Sequence, residues 1–501
     1  MVRARRRRRS RDESAHPSAP APDAPPSRPF PWPLALPLAV TLFWALGARG
    51  GWIYDDFPLV VNRHPPHGLG DLALSLTQTH WNNLQYYRPL ARLLLTAERL
   101  VLGDDPVAFR LVNAGIMGAI TAAAHALLRT PSLGLSPAAA LVGAALVGLH
   151  PSAAEAVFVP SGGPETLAYL PCVLGAVAAW MRPGPAMRVV ALALMAAGLL
   201  FKEQAAVIPA LFALVDGLGV SADAPGRDAR RWIARHLPAL ALFAAWLALR
   251  AAVIVPAPGP RFAAFDAPGR VALSFVYALQ TLLAPSPSMI YEPEFTPGAG
   301  ALRTLLALAL AAGLGSFARA LPDGRARAAR VGLGWALLAV LPTANLVPQE
   351  THFAERYALL AVPGLALAAA SVWTPRWRDA TALALAALCA ITLSRRASFR
   401  DNETFLRQWE ATDPSPYHAA GARGEEAMRH GRIAEAVTHY RRGLAIDPVR
   451  ARYLHRPLAV ALEELGQVEE AIAAYRAAVR ANRRDEVARA ALARLTSSRG
   501  P

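Results

Sequence analysis

Eleven apolar runs of roughly 15 to 23 residues set the terms for this chain, at 33–49, 106–128, 135–150, 163–181, 187–201, 204–218, 237–255, 300–318, 331–346, 355–373 and 378–394. A bilayer core takes about 20 apolar residues as a helix, and fewer where neighbouring protein shelters the ends. Backbone polar groups in hydrocarbon must pair within their own segment, so runs of this kind fold as helices. The composition agrees, with 54% hydrophobic and 18% charged residues. The expectation is an all-α protein with a polytopic helical membrane domain of about eleven transmembrane helices.

The basic residues predict an orientation. A net charge of +16 on one soluble face would point to nucleic acid. Here the arginines fall in an N-terminal tract, in short loops and in a C-terminal segment, so no nucleic-acid partner is expected. With the N-terminal tract in the cytoplasm, each loop that returns there is basic: Arg129; Arg182 and Arg188; Arg227, Arg230, Arg231 and Arg235; Arg319, Arg325, Arg327 and Arg330; Arg376 and Arg378. The count closes only if "RVALSFVYALQTLLA" lies along the interface or re-enters. Residues 1–32 are basic and then rich in Pro, Ala and Ser, which predicts a disordered cytoplasmic tail. Cys172 and Cys389 both lie in apolar runs and offer no disulfide framework or CxxC metal site.

This topology gathers the polar loop segments on the extracytoplasmic side. "GWIYDDF" presents Asp55 and Asp56, an adjacent pair in which mutual repulsion raises one pKa and either carboxylate suits a general base. "YYRPLAR" presents Arg88, whose planar fork suits a phosphate. "HPSAAE" supplies His150 and Glu155, and Glu165 begins the next helix, where a carboxylate also suits the helix dipole. "FKEQ" sets Lys202, the only lysine in the chain, beside Glu203 near interface depth, where ionisable groups are costly and default to a functional role. "HFAERYALL" carries His352, Glu355, Arg356 and Tyr357; Arg356 opposes the helix dipole, which an anionic ligand would explain. Two adjacent aspartates could hold a divalent cation, but spacing fixes no further ligand, so no cofactor is assigned.

After the last apolar run the chain changes character. Gly431, Ala436, Tyr440 and Asp447-Pro448 are followed 35 residues later by Gly466, Ala471 and Tyr475. The spacing resembles the tetratricopeptide repeat, a pair of helices packed through small residues, and "DEVARAALARL" would cap the array. The expected domains are therefore the tail at 1–32, the membrane domain at 33–398, a linker at 399–416 and the repeats with their cap at 417–498.

Taken in order, "YDDFPLVVNRHP", "YYRPLARLLL", "HPSAAEAVFVPSGGPETLAYL", "LLFKEQAAVIPAL" and "PTANLVPQETHFAERYALL" followed by repeats resemble the membrane glycosyltransferases of the GT-C superfamily. The nearer resemblance is to the transmembrane and tetratricopeptide repeat-containing O-mannosyltransferases and their bacterial relatives. "PSGGPE" departs from the Arg-Ala-Asp-like stretch that the family carries after its HP motif. The resemblance implies a sugar, mannose or a similar hexose, carried on a polyprenyl phosphate. It would pass with inversion to a hydroxyl of a protein or envelope glycan, outside the cytoplasm of a bacterial inner membrane. By the same resemblance Asp55, with Asp56 second, is the base; Arg88, Lys202 and Arg356 bind the phosphate; and His150 and Glu155 shape the site, while Glu203, beside Lys202, is a further substrate-binding candidate from its position alone. The repeats would bind a protein partner. The competing expectation is a non-catalytic membrane scaffold whose repeats recruit envelope proteins.

Overall fold

The computed structural model describes residues 32–77, 86–254, 267–286, 301–344, 346, 353–412, 416–483 and 485–497. The expected N-terminal tail and His352 lie outside these residues. Every regular element described is helical, with no β-strand among the described residues. A loop at 46–56 joins α1 (Trp32–Ala45) to a π-turn at Phe57–Val61, and α2 (Leu69–Ser75) and α3 (Pro89–Leu102) follow. The apolar part continues through α4 (Pro106–Leu128), α5 (Pro137–Leu149), α6 (Ala154–Phe158), α7 (Tyr169–Trp180), α8 (Pro185–Phe201), α9 (Ile208–Gly217), α10 (Ala229–Val253), α11 (Ala267–Leu283), α12 (Ala301–Arg319), α13 (Asp323–Val340), α14 (Val362–Val372) and α15 (Arg378–Arg395). Helix α16 (Asn402–Thr412) leads into α17 (Tyr417–Arg429), α18 (Ile433–Ile446), α19 (His455–Glu464), α20 (Val468–Ala481) and α21 (Glu486–Ser497).

Local chemistry explains the helix starts. Prolines open α3, α4, α5 and α8, where the missing N–H would have had no helical partner. Asp105 accepts from the Val107 N–H and Ser136 from the Ala139 N–H, capping α4 and α5. In the interior, Trp180 stacks on Phe212 with ring centroids 4.1 Å apart. Helices α13 and α14 cross in close contact because Gly332 and Gly364 face one another. A Cβ on Gly332 would lie 2.5 Å from the Ala368 nitrogen, and one on Gly364 would lie 2.6 Å from the Ala336 nitrogen. Small residues at such crossings supply the packing that associates helices in lipid, where water offers no drive.

Among the described residues, five helical segments are long and apolar enough to cross a membrane: Pro106–Leu128, Pro137–Phe158, Ala229–Val253, Glu355–Val372 and Pro375–Phe399. Leu34–Ala45, Pro185–Phe201 and Val271–Leu283 are shorter apolar helices. Two of the long segments, Ala229–Val253 and Pro375–Phe399, bury only 17% of their apolar windows, and Ile233, Leu237, Leu240 and Leu383 are exposed. Apolar faces of that extent are stable against lipid rather than water. The chain is a multi-pass helical membrane protein.

The segmentation is coarser than the eleven runs. Run 135–150 continues through a 3-10 turn at Pro151–Ala153 into one segment with α6, and run 163–181 is split by a π-turn at Gly163–Leu167. Runs 187–201 and 204–218 become α8 and α9 around the extended residue Lys202. The stretch 399–416, expected as a linker, contains α16 with Phe405, Leu406 and Trp409 buried. Over 417–497, α17 packs on α18 and α19 on α20 as two helix–turn–helix units with a core of their own, and α21 packs on α20.

Candidate active site

The polar site is built where apolar helices break. Between His150 and Ala168 the backbone passes through a 3-10 turn, the short helix α6, a bend and a π-turn, and these breaks expose carbonyls that continuous helix geometry would pair. Buried side chains answer them. Arg395 donates to the Pro151 carbonyl at 2.9 Å, and Asn113 donates to those of Val157, Val159 and Pro160 at 3.0–3.1 Å. Arg110 donates to the Phe158 carbonyl at 2.6 Å. Irregular backbone at this depth is tolerated only when protein groups satisfy it. The break turns Glu155 and Glu165 onto one cleft.

That cleft is lined by Tyr54, Asp55, Glu155, Ser161, Glu165, Thr166, Arg356 and Phe405, with Ala156, Val159 and Gly162 completing its wall. Arg356 and Glu155 form an ion pair across it. Behind the cleft, Arg88 forks between Glu165 at 3.0 Å and Glu203 at 2.9 Å, its plane 4.6 Å from the Tyr86 ring centroid. Lys202 is buried and donates to Thr166 Oγ1 at 3.1 Å. Burial, with Arg88 nearby, lowers the Lys202 pKa to about 7, although Glu165 opposes the shift.

The two aspartates differ sharply in environment. Asp56 is fully buried, and its carboxylate accepts from the Ile53 N–H at 2.7 Å and the Ser161 N–H at 2.8 Å, tying the first loop to the 160s. Burial raises its pKa to about 6 against the pull of those donors. Asp55 lines the cleft, and its carboxylate makes no hydrogen bond or ion pair among the described residues. Burial raises the Asp55 pKa well above the usual carboxylate range, and Glu165 and Glu155 add to the rise while Arg356 opposes it.

Asp55, Glu155 and Arg356 thus share one cleft, with Arg88, Lys202 and Glu203 directly behind it, whereas Asp56 faces backbone amides. His150 stands apart: its Nδ1 lies 2.8 Å from Ser152 Oγ and its Nε2 3.1 Å from the Leu282 carbonyl, and it does not line the cleft. Glu355 pairs with the buried Arg395 at 2.8 Å instead of facing the cleft. Sequence reasoning read Glu165 only as a helix start and passed over Tyr54, Thr166 and Phe405; a charge next to "SGG" was the one signal available for Glu165. Among the described residues no three His, Cys, Asp or Glu side chains are grouped to hold a metal ion.

Fold and site together define the class: a multi-pass helical membrane protein with a charged cleft at the broken ends of its apolar helices. No family model and no curated protein matches the chain. It is similar to the crystal structure of ArnT from Cupriavidus metallidurans bound to undecaprenyl phosphate, at 14% identity over 88% of this chain and 79% of that one, with a TM-score of 0.41. Roles for individual residues rest on the geometry of this chain alone.

Proposed function

We propose that the chain is a membrane glycosyltransferase of GT-C type that moves a sugar, mannose or a similar hexose, from a polyprenyl-phosphate donor to a hydroxyl of a protein or envelope glycan. The observation that carries this reading is the Asp55 carboxylate, of raised pKa and without a hydrogen bond among the described residues, on a cleft whose wall holds Arg356 and whose next layer holds Lys202 and Arg88. A base poised above the ordinary carboxylate range accepts a proton from an acceptor hydroxyl more readily than an exposed aspartate. The leaving phosphate gathers negative charge in the transition state, and fixed cations lower that barrier.

In this mechanism the acceptor hydroxyl gives its proton to Asp55 while its oxygen attacks the anomeric carbon from the face opposite the phosphate, so configuration inverts. The bond from that carbon to the phosphate oxygen breaks, and polyprenyl phosphate leaves. Arg356 exchanges part of its contact with Glu155 for the phosphate, and Lys202 supports it. Arg88 acts less directly, since Glu165 and Glu203 already occupy its fork. Asp56 holds the loop, and His150 supports the break in the helix. The cleft is assigned to the extracytoplasmic side of a bacterial inner membrane on the arginine distribution, and the two C-terminal hairpins are read as tetratricopeptide repeats.

Mass spectrometry of envelope proteins and glycans, with and without this gene, tests the reading. Loss of a hexose from a defined set of acceptors is expected; an unchanged profile rejects the enzyme in favour of the scaffold.

A further inference from the structure

Tyr54, the residue before the candidate base, has φ of 37°, and no other non-glycine residue described has a positive φ. A bulky side chain enters that region only where its surroundings hold it there. The holding groups come from the far end of the chain. The Tyr54 N–H donates to Asn402 Oδ1 at 2.9 Å, and Asn402 Nδ2 donates to Glu426 Oε2 in α17 at 2.8 Å. Asn402 itself is buried. The Tyr54 ring lies edge-on to Trp409, 5.1 Å between centroids, and stacks on Phe405 at 6.0 Å.

Two further contacts grip the same loop. Arg429 of α17 lies 3.6 Å over the Phe57 ring, and Arg429 also pairs with Glu426. The Gly51 N–H donates to the Arg400 carbonyl at 2.9 Å. The loop bearing Asp55 is thus held on one side by the membrane domain, through Asp56, and on the other by the C-terminal helices.

We propose that Asn402 is a positioning residue for the transfer reaction: its side-chain amide bridges the Tyr54 N–H and Glu426, so that the first C-terminal hairpin holds the Asp55 loop in its working geometry. The proposal rests on the glycosyltransferase reading for its catalytic consequence and on geometry alone for the clamp. The C-terminal helices then do more than recruit a partner, because the base is misplaced without them. A displacement of about 1 Å at a reacting group costs up to about 100-fold in rate.

The test uses the full-length protein in lipid nanodiscs, with hydrogen–deuterium exchange over residues 51–62 and steady-state turnover of polyprenyl-phosphate mannose. Asn402→Ala is expected to speed exchange at Tyr54 about five-fold or more, as loss of one buried hydrogen bond does. It should lower kcat about ten-fold or more with the donor KM unchanged, because no phosphate-facing cation has moved. Glu426→Ala should give a weaker form of both effects, and Glu426→Gln, which keeps an oxygen for Asn402 Nδ2, should restore them. Exchange and kcat at wild-type levels in Asn402→Ala overturn the proposal. So does faster exchange spread evenly over the membrane helices, which would mark a general loss of stability. If Asn402→Ala does not fold, the Glu426 pair decides in the same way, since that side chain lies on the C-terminal hairpin. A wild type that turns over neither this donor nor polyprenyl-phosphate glucose defeats the functional reading and Asn402's part in it, whereas the exchange arm still accepts or rejects the clamp.

Discussion

Replacing Asp55 by Asn separates catalysis from folding more cleanly than any other change in the cleft. The carboxylate accepts no hydrogen bond among the described residues, so the substitution removes none, and Asn has nearly the same volume. What it does remove is a charge that burial, Glu165 and Glu155 all disfavour. The folded pKa lies above the unfolded one, so the folded state holds its proton more tightly. Stability from this group is complete below the unfolded pKa and is lost as pH rises towards the folded pKa. At neutral pH and above, Asn avoids that loss, and the variant should melt at or above the wild-type temperature. Loss of a general base costs about 100- to 10,000-fold in rate, or roughly 3 to 5 kcal/mol of barrier. The assay is single-turnover transfer of labelled mannose from its polyprenyl phosphate in nanodiscs, with melting followed by tryptophan fluorescence on the same samples. In the wild type, kcat/KM should fall with decreasing pH along a limb set above the usual carboxylate range. Retention of more than a tenth of wild-type kcat refutes the role of Asp55, and a melting temperature lowered by several degrees refutes the claim that the folded protein on balance disfavours its charge.

The other charged groups of the cleft give two further expectations. Arg356→Ala strands the Glu155 carboxylate, and breaking a buried pair from one side costs about 3 to 5 kcal/mol; adding Glu155→Gln should recover most of the melting temperature without recovering donor turnover. Recovery of turnover in the double variant would remove Arg356 from the phosphate site. Lys202, with its pKa lowered to about 7, loses its charge as pH rises through that value, so the donor KM should climb between about pH 6 and 8. Lys202→Met should show a high donor KM with that climb abolished; a pH dependence equal to wild type would assign it to another group.

The membrane class and the individual charges at run ends were legible in the sequence, because apolar length and isolated ionisable residues are local signals. Which of two adjacent aspartates faces the cleft was not. The answer depends on the Ser161 amide 105 positions away, and on Asn402, 348 positions from Tyr54. Neither pairing leaves a mark in the local pattern. The same holds for Arg110, Asn113 and Arg395, which lie within or at the edge of apolar runs, where a polar side chain without a visible partner is only a cost. Their partners include the carbonyls of Pro151, Val157, Phe158, Val159 and Pro160, so the cost offsets a break in another segment. A buried arginine or asparagine in an apolar helix therefore carries information about irregular backbone elsewhere in the membrane domain. Here that backbone is the stretch that turns Glu155 and Glu165 onto the cleft. Substituting Asn113 acts on the site through three carbonyls that no charge in the sequence marks.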